Sequence, residues 1–175
     1  IKNIVEIIRF ATNVTKKDIM EQLGLSFATV SNICNQLKDA GLIEESKGQD
    51  GESAVGRSPM LLNMCYRDFF IVCLDLHNIL QMQIAVTNLR NDVITLTAFY
   101  GSISMEFHDF TRLLHRRTFD SLKENNLPLE KVIGVSVAVP AIFDRHRGRT
   151  VSSLVPAIEE KPLKAELERL FDKPV

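Results

Sequence analysis

The sequence predicts an α/β chain in two parts, and three observations predict it. A helical apolar period fills most of the N-terminal stretch, up to about Gly41, and two short apolar segments follow, separated by a glycine-rich run. From about Met64 the pattern changes to three strands in series, a long amphipathic helix, a nearly continuous apolar strand and a second helix. We therefore divide the 175 residues into 1–63 and 64–175.

In the first part, Ile4, Val5, Ile7, Ile8 and Ala11 give a helix with a broad apolar face, ending near Asn13. Thr15 with Asp18 three residues later is a capping box that opens a second helix carrying Ile19, Met20 and Leu23. Leu23-Gly24-Leu25-Ser26 then closes one helix on a glycine and opens the next on a serine N-cap. Val30, Ile33, Cys34 and Leu37 recur at helical spacing up to Gly41, so one face is apolar. The opposite face carries Ala28, Asn32, Asn35 and Gln36, flanked by Thr29 and Ser31.

Small residues near a helix N-terminus let it sit deep in a DNA major groove, where Asn or Gln pairs bidentately with adenine. Leu42 to Glu45 and Met60 to Asn63 read as paired strands joined by SKGQDGESAVGRSP, a long hairpin tip. Three helices plus this hairpin predict a winged helix-turn-helix. Arg57, beside Gly56 and followed by Ser58-Pro59, is placed to enter a neighbouring minor groove, where arginine responds to narrow A·T tracts.

Charge limits how such a domain binds. Residues 1–63 hold seven basic side chains (Lys2, Arg9, Lys16, Lys17, Lys38, Lys47 and Arg57) against eight acidic ones. Basic contacts supply most of the affinity for phosphate, so we expect a homodimer on an A·T-rich palindrome of double-stranded DNA. The whole chain is balanced as well, at 21 Lys plus Arg against 22 Asp plus Glu, so any DNA contact must be local.

In the second part, Phe69 to Leu76, Leu80 to Leu89 and Val93 to Phe99 predict an antiparallel meander with a turn at Asn88 to Asp92. Phe107, Phe110, Leu114 and Leu122 lie near one face of a helix from about Met105 to Asn125. Val132 to Pro140 reads as a strand buried on both sides. A loop with Asp144 and Gly148, a short strand near Val151 and a helix from Pro162 to Phe171 follow. This β-β-β-α-β-α order is half of a ribonuclease-H-like lobe.

No segment has the length and apolarity of a membrane span or the form of a signal peptide, so a soluble, cytoplasmic protein is expected. Cys34, Cys65 and Cys73 lack metal-ligand spacing and read as reduced core residues; neither a metal site nor a cofactor motif is visible. His108 and His115, seven apart on one helix, read as surface residues. The basic runs His115-Arg116-Arg117 and Arg145 to Arg149 read as solvated faces, with an acidic or phosphorylated ligand as the alternative. The missing initiator methionine and the abrupt Lys173-Pro174-Val175 end lead us to expect a truncated piece of a longer product.

With these stretches in place, the chain resembles the ROK-family transcriptional repressors. The likeness is carried by LGLSFATVSNICNQLKDAGLIEE, the GRSP of the wing, FFIVCLDLHNILQMQIAVTNLRNDV, VIGVSVAVPAIFDRHRGRTVSS and EKPLKAELERLFDKPV, in the family's order. It implies a winged helix followed by the first lobe of an actin/hexokinase-like sugar-kinase domain. It also implies Ser26 through Asn35 in the major groove and Gly56-Arg57 in the minor groove. The chain departs from the family at Phe27 and Asn32, where basic residues often stand.

The kinase relatives end their first strand in an Asp-x-Gly-Gly-Thr phosphate loop, and here Asp75-Leu76-His77-Asn78-Ile79 stands instead. Without those glycines, backbone N–H groups cannot approach an anion closely, so catalysis is not expected. The resemblance puts Ser152 and Ser153 beside a sugar or sugar-phosphate effector. Pro140-Ala141 replaces the family's Pro-Gly there, and the family's catalytic carboxylate and zinc site lie in a later half. The expected function is a carbohydrate-gene repressor with a non-catalytic effector domain. The rivals are a sugar kinase with an added domain and a winged-helix protein-interaction module.

Overall fold

The computed structural model describes residues 1–175 except 12, 49–58, 79 and 103. The chain divides into two units, Ile1–Asp68 and Phe69–Val175. The strand that holds Met64 belongs wholly to the first.

The first unit runs α1 (Lys2–Phe10), β1 (Val14–Thr15), α2 (Lys16–Leu23), α3 (Phe27–Asp39), β2 (Ile43–Lys47) and β3 (Met60–Met64). Its sheet has the order β1-β3-β2, all antiparallel, with Val14 opposite Leu62 and Ile43 opposite Met64. Ile8, Ile19, Val30, Cys34, Ile43 and Leu62 are buried in its core. Helix α1 stops at Phe10, earlier than the periodicity suggested, because Ala11 is extended and Asn13 takes a left-handed φ of 62°. That reversal delivers Val14 to β3, and the short strand it forms has no signal in the sequence.

The second unit runs β4 (Phe70–Asp75), β5 (Met82–Asn88), β6 (Val93–Phe99), α4 (Phe107–Glu124), β7 (Val132–Ala138), β8 (Ala141–Asp144), β9 (Arg149–Ser153) and α5 (Leu163–Phe171). The main sheet has the order β6-β5-β4-β7; the meander is antiparallel, and β7 lies parallel to β4. Alternation puts Phe70, Val72 and Leu74 on one face, in a core shared with Phe110 and Leu114 of α4 and Leu167 of α5.

Two readings of this part are corrected. Strand β7 is not buried on both sides: it is an edge strand, and Ile133 is 39% exposed. The register slips there, with Phe70 opposite Val132 and Ile71 opposite Gly134, so Ile133 is a bulged residue, and Val132 and Val135 face inward three apart. The Asp144–Gly148 segment is not a plain loop. It is the turn of a separate β8–β9 hairpin, with Asp144 Oδ1 accepting from the N–H groups of His146 (2.9 Å) and Arg147 (3.1 Å).

Candidate nucleic-acid interface

The turn before α3 is built from local chemistry. Gly24 closes α2 at φ 63°, a left-handed conformation that costs an L side chain roughly 1–2 kcal/mol. Thr15 and Asp18 form the reciprocal cap at the other end of α2: the Asp18 N–H donates to Thr15 Oγ1 (3.2 Å), and the Thr15 N–H donates to Asp18 Oδ2 (2.8 Å). The Thr15 hydroxyl donates to the same carboxylate at 2.7 Å, and these bonds hold the Asp18 carboxyl below its usual range. Ser26 caps α3 by accepting from the Thr29 N–H at 3.1 Å.

The two faces of α3 differ as the spacing predicted. Val30, Cys34 and Leu37 are buried and Ile33 is half-buried. Ala28, Thr29, Asn32, Asn35 and Gln36 are exposed together, with Ser31 half-buried beside them. The hydroxyls of Ser26 and Thr29 lie 2.9 Å apart and are tied to one another in the cap. Among the described residues, none bonds the side-chain amides of Asn32, Asn35 or Gln36, which leaves them available to base edges. Gly56 and Arg57 lie outside the described residues. The β2–β3 ladder can be followed toward them as far as a bond from the Gly48 N–H to the Pro59 carbonyl (3.0 Å).

One electrostatic feature escaped the sequence. Glu45 of β2 accepts from Lys16 of α2 at 2.8 Å and from Lys38 of α3 at 3.1 Å. Hydrogen bonds from Lys16 and then Lys38 hold its carboxyl below the ordinary glutamate range. Two of the few lysines of this unit are thereby engaged with a carboxylate rather than free for phosphate. No spacing rule links residues this far apart on three elements.

The second unit offers less chemistry. At the end of β4, Asp75 Oδ1 accepts from the His77 N–H (3.1 Å) and lies 2.7 Å from its Nδ1; these bonds hold the Asp75 carboxyl low. Asn78 Oδ1 accepts from the Leu80 N–H at 3.0 Å, and the Leu76 N–H donates to the Ala138 carbonyl. A phosphate loop needs such N–H groups turned outward to the anion, and these are consumed internally. Ser152 is exposed on β9, while Ser153 Oγ accepts from the Val155 N–H at 3.0 Å. They border an open depression of about 420 Å³ whose other walls are Pro140, Ala141, Ile142 and Leu154.

His115 departs from its surface reading. It is half-buried, with ring centroids 4.5 Å from Phe119 and 5.2 Å from Phe171. The cysteines are free thiols, but only Cys34 is buried; Cys65 and Cys73 are half-buried. Among the described residues there is no cluster of three or more potential metal ligands, and no helix is long and apolar enough to cross a membrane.

Comparison with known proteins agrees with this architecture. The chain is 26% identical over 162 residues to a xylose repressor of Caldicellulosiruptor bescii, and 24% identical to a putative xylose repressor of Caldicellulosiruptor sp. strain Rt8B.4. Each match covers 93% of this chain and 40% of the relative, so the chain spans well under half of their length. In fold it matches the crystal structure of a ROK-family transcriptional regulator, a homologue of the E. coli MLC protein. That match has a TM-score of 0.81 and 18% identity, covering 98% of this chain and 43% of that one. No protein-family model matches. The likeness to ROK-family transcriptional repressors read from the motifs thus stands in sequence and in fold.

Proposed function

We propose that this chain carries the DNA-binding domain and the first part of the effector domain of a sequence-specific, cytoplasmic repressor of carbohydrate-related genes. The exposed amide face of α3 carries this reading. It sits opposite a buried stripe, behind a tight turn, with Asn32, Asn35 and Gln36 free of intramolecular bonds among the described residues. The winged helix would dock α3 in the major groove and Arg57 in the adjacent minor groove of an A·T-rich palindrome, as a homodimer. The names of the relatives support repression and a sugar-linked signal.

The second unit, in this reading, is a sugar-kinase-like lobe that does not transfer phosphate, since its strand-end loop spends its N–H groups on Asp75 and Asn78. A sugar or sugar phosphate near Ser152 and Ser153 would favour one state of the protein and DNA another, a coupling reciprocal by linkage. Selection of genomic DNA fragments on the purified chain at low and moderate salt tests the proposal. Enrichment of an A·T-rich palindrome, lost when Asn32→Ala and Arg57→Ala are combined, is the expected result. Absence of enrichment at either salt rejects it.

A further inference from the structure

Phe27 is the first residue of α3 and is 56% exposed. Among the described residues of the first unit, the other large exposed apolar side chains have ordinary settings. Ile1 is the N-cap residue of α1, Met60 opens a strand, and Phe10 lies under the Arg9 guanidinium at 5.3 Å. Phe27 has no such setting: no ring or cation stacks on it among the described residues, and its neighbour Ala28 is exposed too. Because Cα–Cβ bonds tilt toward the helix N-terminus, a side chain at this position projects past the first turn, on the side of Ser31. It therefore stands at the N-terminal tip of the helix between the buried Cys34 and the exposed Asn35, on the edge of the surface that bears the free amides.

The chemistry of that surface is uniform. From Phe27 to Leu37 the helix contains no charged residue. That stretch has no arginine or lysine for guanine O6 and N7, the commonest specific contact in the major groove, and Lys38 beyond it is engaged with Glu45. It does have what an A·T pair presents: amides for adenine N6 and N7, and an apolar group for the thymine 5-methyl. Resting on the DNA-binding reading above, we infer that Phe27 is a specificity-determining residue that packs on the 5-methyl group of a thymine in each half-site. The amides of α3 take the neighbouring adenines, so this helix selects A·T pairs by the apolar and the polar edge at once.

The test uses the enriched duplex and the same duplex with every thymine replaced by deoxyuridine, which deletes only methyl groups. Affinities of the full chain for both are measured by fluorescence anisotropy. The wild type is expected to bind the deoxyuridine duplex roughly fourfold more weakly for each methyl contacted, the loss that one buried carbon gives. Phe27→Ala should lose affinity for the thymine duplex and show little preference between the two, with unchanged circular dichroism and Tm. Phe27→Leu, which keeps an apolar side chain, should retain part of the preference and serves in its place if the alanine variant unfolds. Equal wild-type affinity for both duplexes overturns the inference, as does a preference that survives Phe27→Ala. A chain that enriches no duplex at all rejects the DNA-binding reading itself, a result distinct from either.

Discussion

Exposed apolar side chains mean different things in the two units. In the first, Phe27 stands among small, uncharged residues, and its exposure singles out one position on one helix. In the second, Val93, Ile94 and Leu96 crowd strand β6, while Ile142, Val151 and Leu154 crowd the β8–β9 hairpin. Exposure there marks surfaces rather than residues. An apolar group in water therefore carries site-level information only where its surroundings are otherwise finished, with caps satisfied and charges paired. The first unit meets that condition through its two helix caps and the Lys16–Glu45–Lys38 cluster.

The sharpest way to break this contrast is to ask whether the units share a core. Phe110 is fully buried, and Phe110→Ala should cost about 3–5 kcal/mol. In urea unfolding that loss should fall on the transition of the second unit, leaving DNA binding in place. A parallel collapse of DNA binding would show that the two cores are one cooperative system. Next in size, Asn32→Ala should remove about 1–3 kcal/mol of discrimination at one base pair with no change in Tm, read by repeating the fragment selection. Unaltered enrichment would mean that the amide face is merely wet.

The caps give a smaller effect. Thr15→Ala removes the hydroxyl that accepts from the Asp18 N–H and donates to its carboxylate, leaving only the backbone N–H bond to Asp18, and should destabilise the first unit by about 1 kcal/mol in urea unfolding, without shifting the second. The smallest effect is electrostatic. Because the folded Glu45 carboxyl sits below its ordinary value, its contribution is complete above the ordinary glutamate range and is lost as pH falls through the lowered folded value. Glu45→Gln should erase that acid-side step. It should also free Lys16 and Lys38 to meet phosphate, steepening the slope of log affinity against log salt by up to about two counterions. A slope unchanged from the wild type would place both lysines away from the DNA.

Legibility in the sequence followed the range of the interactions. The α3 stripe, the Ser26 cap, the left-handed Gly24 and the Thr15–Asp18 box all involve residues within a turn or two of one another, and all were read correctly. So was the meander, whose tight turn is held by Asn88 Oδ1 accepting from the N–H groups of Arg90 and Asp92. Strand β7 was misjudged because a continuous apolar run has no period to separate a central strand from a bulged edge. Strand β1 was missed because two residues have no period at all. His115 looked like a surface histidine from its own helix, and only α5 brings Phe171 against it.

By itself, then, the sequence determined the helices, their caps, the amide face and the two-part order. Each is fixed by backbone hydrogen bonding and apolar periodicity over a few residues. Tertiary structure alone decided which strand lies at the sheet edge and that Glu45 engages Lys16 and Lys38. Sheet order and ion pairing join groups distant along the chain. No local pattern encodes either.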